Sequence, residues 1–218
     1  EVKHDFWSKV SRLVDEEVLL TTNTSGLSIS SIAQAVKGPE RFVGMHWFNP
    51  PHIIPLIEVI NGDKTTDSAA EAVSELAKTL GKKPVRVKKD VPGFAANRVQ
   101  FAILRELLHL VEEEVICFED ADDLMKYGLG LRYACLGPFE IADMGGIDTF
   151  RNIADYLFAD LADDKEGSAL FRALVEEGRL GIKSGKGIYD YPSGKADQQI
   201  KVRDEKYMKV CDALLGEE

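Results

Sequence analysis

At 218 residues, with 44% hydrophobic and 29% charged side chains, the chain has the make-up of a globular protein, long enough for one domain or two small ones. Its 27 basic and 37 acidic residues give a formal net charge of −10, which argues against a nucleic-acid partner, whose footprint is net basic. A small anionic ligand needs only a few local cations and stays possible. Cys117, Cys135 and Cys211 form an odd set without CxxC or CxxH spacing, so neither a disulfide framework nor a metal site is expected. Buried thiols in a reducing cytoplasm are the expectation. No signal peptide and no apolar run near the ~18 residues of a membrane span are present, so a cytoplasmic protein with no membrane contact is expected.

The chain opens on Glu1 within a helical pattern, with Phe6, Val10 and Leu13 at helical spacing, and no cap or strand precedes it. A beginning cut from within a longer protein is the expectation. Val18–Thr22 reads as a buried strand and residues 28–37 as a short helix. Phe42–Phe48 is the next strand, ended by Asn49-Pro50-Pro51, because proline cannot continue a central ladder. Residues 56–60 form a third strand, Asp67–Leu80 an amphipathic helix closed by Gly81, and 84–87 a fourth strand. Alternation at this spacing predicts an open, parallel α/β sheet.

Beyond Pro92 the strands stop. Phe94–Val115 reads as a long helix with Val99, Ile103, Leu107 and Leu110 on one stripe. Further helices are predicted over 121–127, 139–144, 148–161, 169–177 and 198–215, with a glycine-rich turn over 178–187. The fold class is therefore an α/β region over residues 1–91 followed by an all-α region over 92–218.

Two glycine stretches fail as phosphate cradles. Gly128-Leu129-Gly130-Leu131-Arg132-Tyr133 has tyrosine where GxGxxG needs glycine, and it follows a helix. The run from Gly181 to Gly187 is one residue short between its glycines for a Walker loop, and Gly187 stands where Ser or Thr would hold magnesium.

The residues that suggest chemistry are Asn23-Thr24-Ser25-Gly26, His46-Trp47-Phe48-Asn49-Pro50 and Glu58. In open sheets, polar residues just past strand ends are site candidates. Imidazole titrates near pH ~6.5, so it can take and return a proton at neutral pH, and a carboxylate on its second nitrogen fixes the tautomer. Glu58 lies inside the apolar run Leu56–Ile60 and needs a partner if buried. Other assignments stay open on residues alone: His46 as a structural histidine, Glu58 paired with Lys or Arg, Asn23 or Ser25 as a helix cap. His4 and His109 fall on helices, while His52 sits in a proline-bracketed loop.

The segments NTSGLSI, RFVGMHWFNPPHIIPLIEVI, DVPGFAANR and LGPFEIADMGGIDT, in this order and spacing, resemble the 3-hydroxyacyl-CoA dehydrogenase family through nearly the whole chain. The resemblance implies the C-terminal part of an NAD-binding Rossmann-like domain over residues 1–91, and a helical domain serving substrate and homodimerisation over 92–218. It implies His46 as general base and Glu58 as its partner. Ser25 and Asn97 would contact substrate, and Ser25 and Asn49 would lie by the nicotinamide. Lys3 and Lys183 would lie near NAD, with a solvated surface role as the alternative for these two. Trp47 departs from the family pattern, and the family's N-terminal glycine loop is not among these residues. The activity implied for the full-length protein is oxidation of L-3-hydroxyacyl-CoA to 3-ketoacyl-CoA in β-oxidation, with an acyl-CoA substrate. The alternatives are a dehydrogenase of a free hydroxy acid of gulonate or carnitine type, or an inactive dimerising fragment.

Overall fold

A computed structural model describes residues 1–191 and 196–216, which divide into two compact units, 1–101 and 102–218. The first unit opens with α1 (Val2–Leu13), β1 (Leu20–Thr22) and α2 (Ile29–Ala33). A 3-10 turn at Pro39–Arg41 leads to β2 (Phe42–Trp47), β3 (Leu56–Asn61), α3 (Asp67–Thr79) and β4 (Lys83–Val87). Helix α4 (Ala96–Glu112) runs across the division between the units. The second unit continues with α5 (Phe118–Leu124), a π-helical turn (Met125–Leu129) and α6 (Gly130–Cys135). Then come α7 (Pro138–Gly145), α8 (Ile147–Leu157), α9 (Ala169–Glu176) and α10 (Ala196–Leu215).

The four strands form one sheet in the order β1-β2-β3-β4. The expectation of a parallel sheet is corrected here: β1–β2 and β3–β4 are parallel, but β2–β3 is antiparallel. The reason lies in the connection. Residues 48–55 carry three prolines and no helix, so the chain reverses directly into β3, whereas a parallel partner needs a crossover of a dozen or more residues. Antiparallel register then sets His46 opposite Glu58.

Alternation along the strands splits the core in two. Phe42, Ile60 and Val87 join Trp7, Ile29, Ile32 and Phe94 in one apolar cluster. Val43, Met45, Ile57 and Val59 join Ala69, Ala70, Val73 and Ala77 of α3 in the other. By the same alternation His46 and Glu58 fall on the first face. Gly44 sits between Phe42 and His46 on that face, and a Cβ there would lie 2.8 Å from Ile29 Cδ1 and 2.9 Å from Ile60 Cβ. The bare backbone lets α2 pack directly on the sheet.

Element ends differ from the sequence expectation for local reasons. The second helix stops at Ala33. The long helix starts at Ala96 because Gly93 and Phe94 adopt positive φ (77° and 53°). Helix α6 was not expected, since Gly128 and Gly130 argue against a helix on propensity. Two of the three thiols, Cys117 and Cys135, are exposed and Cys211 is half-buried, contrary to the expectation of burial.

Candidate active site

Strand register does the first part of the positioning. His46 (3% exposed) and Glu58 (1% exposed) face each other across the β2–β3 pair, and His46 Nδ1 lies 2.9 Å from Glu58 Oε2. A carboxylate can only accept, so Nδ1 carries the hydrogen, and in the neutral ring Nε2 then presents a lone pair. That lone pair faces Ser25 Oγ at 3.3 Å. Phe48 and Phe94 cover the ring, with centroids 4.6 and 5.6 Å from the imidazole.

The other carboxylate oxygen is fixed too. Glu58 Oε1 accepts hydrogen bonds from the backbone N–H groups of Ala95 and Ala96, each 2.9 Å away, at the start of α4. Those donors belong to the set a helix N-terminus leaves unpaired, and the helix dipole favours an anion there. Glu58 thus has three hydrogen bonds in a nearly dry setting, which resolves how an acidic residue sits inside an apolar strand.

Ser25 lies in the loop between β1 and α2 and is exposed. Thr24 Oγ1 accepts from Leu27 N (3.0 Å), and Asn97 Nδ2 donates to the Ser25 carbonyl (2.9 Å). Asn23 Oδ1 accepts from Trp47 N (3.3 Å), tying the ends of β1 and β2 together. Lys3 Nζ donates to Thr22 Oγ1 (3.1 Å) and to the Asn23 carbonyl. Asn49 is exposed at the start of the 48–55 loop. The cap of α2 is Ser28, not Asn23 or Ser25: its Oγ accepts from Ser31 N at 3.0 Å.

The structure therefore brings Ser25, His46, Glu58 and Asn97 into one connected network. Lys3 joins it through the end of β1, and Asn49 stands three residues beyond His46 along the chain. Lys183 belongs to the second unit, exposed in the turn where Gly181 bridges Lys186. The sequence reading missed Phe94 and the Ala95 and Ala96 amides. Backbone donors have no side-chain signature, although the Pro92-Gly93 pair before a helix marks where such donors gather. His4 and His109 are half-buried on helices, and His52 is exposed. No group of three or more His, Cys, Asp or Glu that could hold a metal ion occurs among the described residues.

A buried imidazole–carboxylate pair opening on a hydroxyl, set in a Rossmann-type sheet followed by helices, defines an acid–base site of the dehydrogenase class. Comparison with known proteins narrows the class. Residues 1–91 match the model described as 3-hydroxyacyl-CoA dehydrogenase, NAD binding domain, and residues 93–191 match the C-terminal domain of the same family. The chain belongs to the 3-hydroxyacyl-CoA dehydrogenase family, whose members are NAD-dependent oxidoreductases.

Similar proteins include 5-formyl-3-hydroxy-2-methylpyridine 4-carboxylate 5-dehydrogenase of Mesorhizobium japonicum, 38% identical over all of this chain and 70% of that protein. A probable 3-hydroxybutyryl-CoA dehydrogenase of Deinococcus radiodurans is 40% identical over 88% of this chain and 68% of its own length. The fatty acid oxidation complex subunit alpha of Pseudomonas syringae pv. tomato is 40% identical, but the chain covers 30% of it. Among solved structures, that of the pyridine-carboxylate dehydrogenase, an NAD+ dependent dismutase, superposes with a TM-score of 0.95, covering 99% of this chain and 70% of that one. The (S)-3-hydroxybutyryl-CoA dehydrogenase of Ralstonia eutropha gives 0.68 at 36% identity, over 88% of this chain and 67% of that one.

The residues present fit one end of the cofactor. Ser25, an exposed hydroxyl 3.3 Å from the imidazole and able to donate and accept, suits a nicotinamide carboxamide there. For the pyrophosphate, the sequence holds no GxGxxG run.

Proposed function

We propose that the protein oxidises an L-3-hydroxyacyl-CoA to the 3-ketoacyl-CoA, the redox step of β-oxidation, reversibly. The observation that carries this reading is the His46–Glu58 hydrogen bond, which leaves Nε2 as a base facing Ser25. NAD, when bound, supplies the hydride acceptor. His46 Nε2 takes the proton of the substrate hydroxyl as the carbon–oxygen double bond forms. The imidazolium so produced is held against the Glu58 carboxylate, and that carboxylate is held by α4. The Ser25 hydroxyl shares the substrate oxygen with His46, and Asn97 contacts the substrate while holding the Ser25 backbone. Lys3 lies near the cofactor, by way of the β1 end it already binds.

In the full-length enzyme His46→Ala is expected to lower kcat by ~10²–10⁴, the usual contribution of a positioned general base. A loss confined to KM would mean uniform binding only and would overturn the role. The 218-residue chain alone, without a glycine loop among its residues, is expected to leave NADH fluorescence unchanged in titration. Saturable tight binding would contradict that.

The helical region, 92–218, is proposed to serve the substrate and to dimerise, and the protein to work in the cytoplasm. A second substrate reading is favoured by the TM-score of 0.95 to a dehydrogenase of a pyridine carboxylate: a free acid instead of a thioester. Initial rates on a panel of 3-hydroxyacyl-CoA thioesters, free hydroxy acids of gulonate or carnitine type and pyridine carboxylates separate the two. Preference for a free acid would remove the thioester.

A further inference from the structure

The motif containing Asp90 has a part that the acid–base chemistry leaves unused. Asp90 follows β4, half-buried, and its Oδ2 accepts hydrogen bonds from Ser28 Oγ (2.6 Å) and Ser30 N (2.8 Å). Both donors stand where the β1–α2 loop turns into α2, three and five residues after Ser25. That loop has little packing to hold it. Ser25, Gly26, Leu27 and Ser28 are all exposed, and a Cβ built on Gly26 would meet nothing within 4 Å. The 3.3 Å approach of Ser25 Oγ to His46 Nε2 therefore depends on polar anchors, not on van der Waals contact.

Those anchors converge on one short segment. Asp90 grips the exit of the loop, and Asn97 Nδ2 grips the Ser25 carbonyl. Between them the Ala95 and Ala96 amides grip Glu58, and the Phe94 ring lies on His46. One stretch of eight residues, 90–97, thus touches both halves of the site.

We propose that Asp90 is a positioning residue for the dehydrogenase reaction: through Ser28 and Ser30 it registers the Ser25 hydroxyl against the His46–Glu58 pair. Asp90 touches neither substrate nor cofactor in this role. It acts through loop geometry, so its loss costs rate as misplacement of Ser25. The proposal rests on the reaction assigned above for its kinetic consequence, though not for its spectroscopic one.

The test uses the full-length enzyme with ¹⁵N-labelled histidine. Asp90→Ala removes both acceptor contacts. It is expected to move the His46 Nε2 resonance in the same direction as Ser25→Ala does, with no additional movement in the double variant. On substrate it is expected to lower kcat by ~10–100-fold, the scale of a small misplacement, and by under about twofold once Ser25 is already alanine. Asp90→Glu keeps the charge but pushes the loop outward by one methylene. It covers the case in which alanine fails to fold, and the same resonance shift is expected. An unmoved Nε2 resonance in the folded variant, or losses that multiply with Ser25→Ala, would refute positioning. A wild-type enzyme inactive on every thioester, with the resonance coupling intact, would fail the substrate assignment and leave the positioning role standing.

Discussion

Glu58 performs two tasks with its two oxygens. Oε2 fixes the imidazole tautomer, and Oε1 occupies the first amides of α4. Glu58→Gln separates them. The amide oxygen can still accept from Ala95 and Ala96, but the amide nitrogen then donates to Nδ1, which forces the hydrogen onto Nε2 and removes the base. The full-length Glu58→Gln enzyme is expected to lose ~10²–10⁴ in kcat while its denaturation midpoint shifts little. Glu58→Ala, leaving the buried partners unpaired, is expected to cost about 3 kcal/mol of stability as well. Equal stability losses in the two variants, measured by chemical denaturation, would show that the second oxygen is idle. At this scale His46, Glu58 and Ser25 were candidates because each is a reactive side chain at a strand end or within an apolar run, but the residues alone left other assignments open and only the family resemblance implied their roles. The donors of Ala95 and Ala96 were not, because any residue but proline carries the same N–H.

Among the elements, the strands were legible from apolar, β-branched runs, and α3 from its amphipathic pattern with Gly81 beyond its end, whereas its cap, Thr66, was not read. Strand direction was not, because composition is the same for either sense. It was set by a connection too short for a crossover, and the His46–Glu58 pairing depends on it. The second unit offers a test of its own. The Tyr189 hydroxyl donates to Asp122 Oδ2 (3.1 Å), tying the segment just after the glycine-rich turn to α5. Burial, and then that carboxylate, push the phenol up to about 12. A raised value means that the unfolded chain ionises first. The contribution of Tyr189 is complete below pH ~10, the ordinary phenol value, and is lost as pH rises towards 12. Tyr189→Phe should flatten the fall in denaturation midpoint over that window. An identical fall in the variant would show that Tyr189 does not ionise on unfolding.

At the scale of the whole molecule, the two units bury apolar surface very differently. The first has a core on each face of its sheet. In the second, the buried apolar side chains among the described residues are Leu108, Ala121 and Ala162, while Phe139 (86% exposed), Met144 (77%) and Phe158 (74%) lie open. Single exposed apolar residues are ordinary, whereas a contiguous patch of large ones marks a contact surface. The proposed homodimer would cover such a surface, and C2 pairing requires one self-complementary patch. In sedimentation equilibrium the full-length protein is expected to behave as a dimer, and Phe139→Asp with Phe158→Asp is expected to shift it towards monomer. A wild-type monomer at micromolar concentration, or a double variant that remains fully dimeric, would remove these helices from the interface.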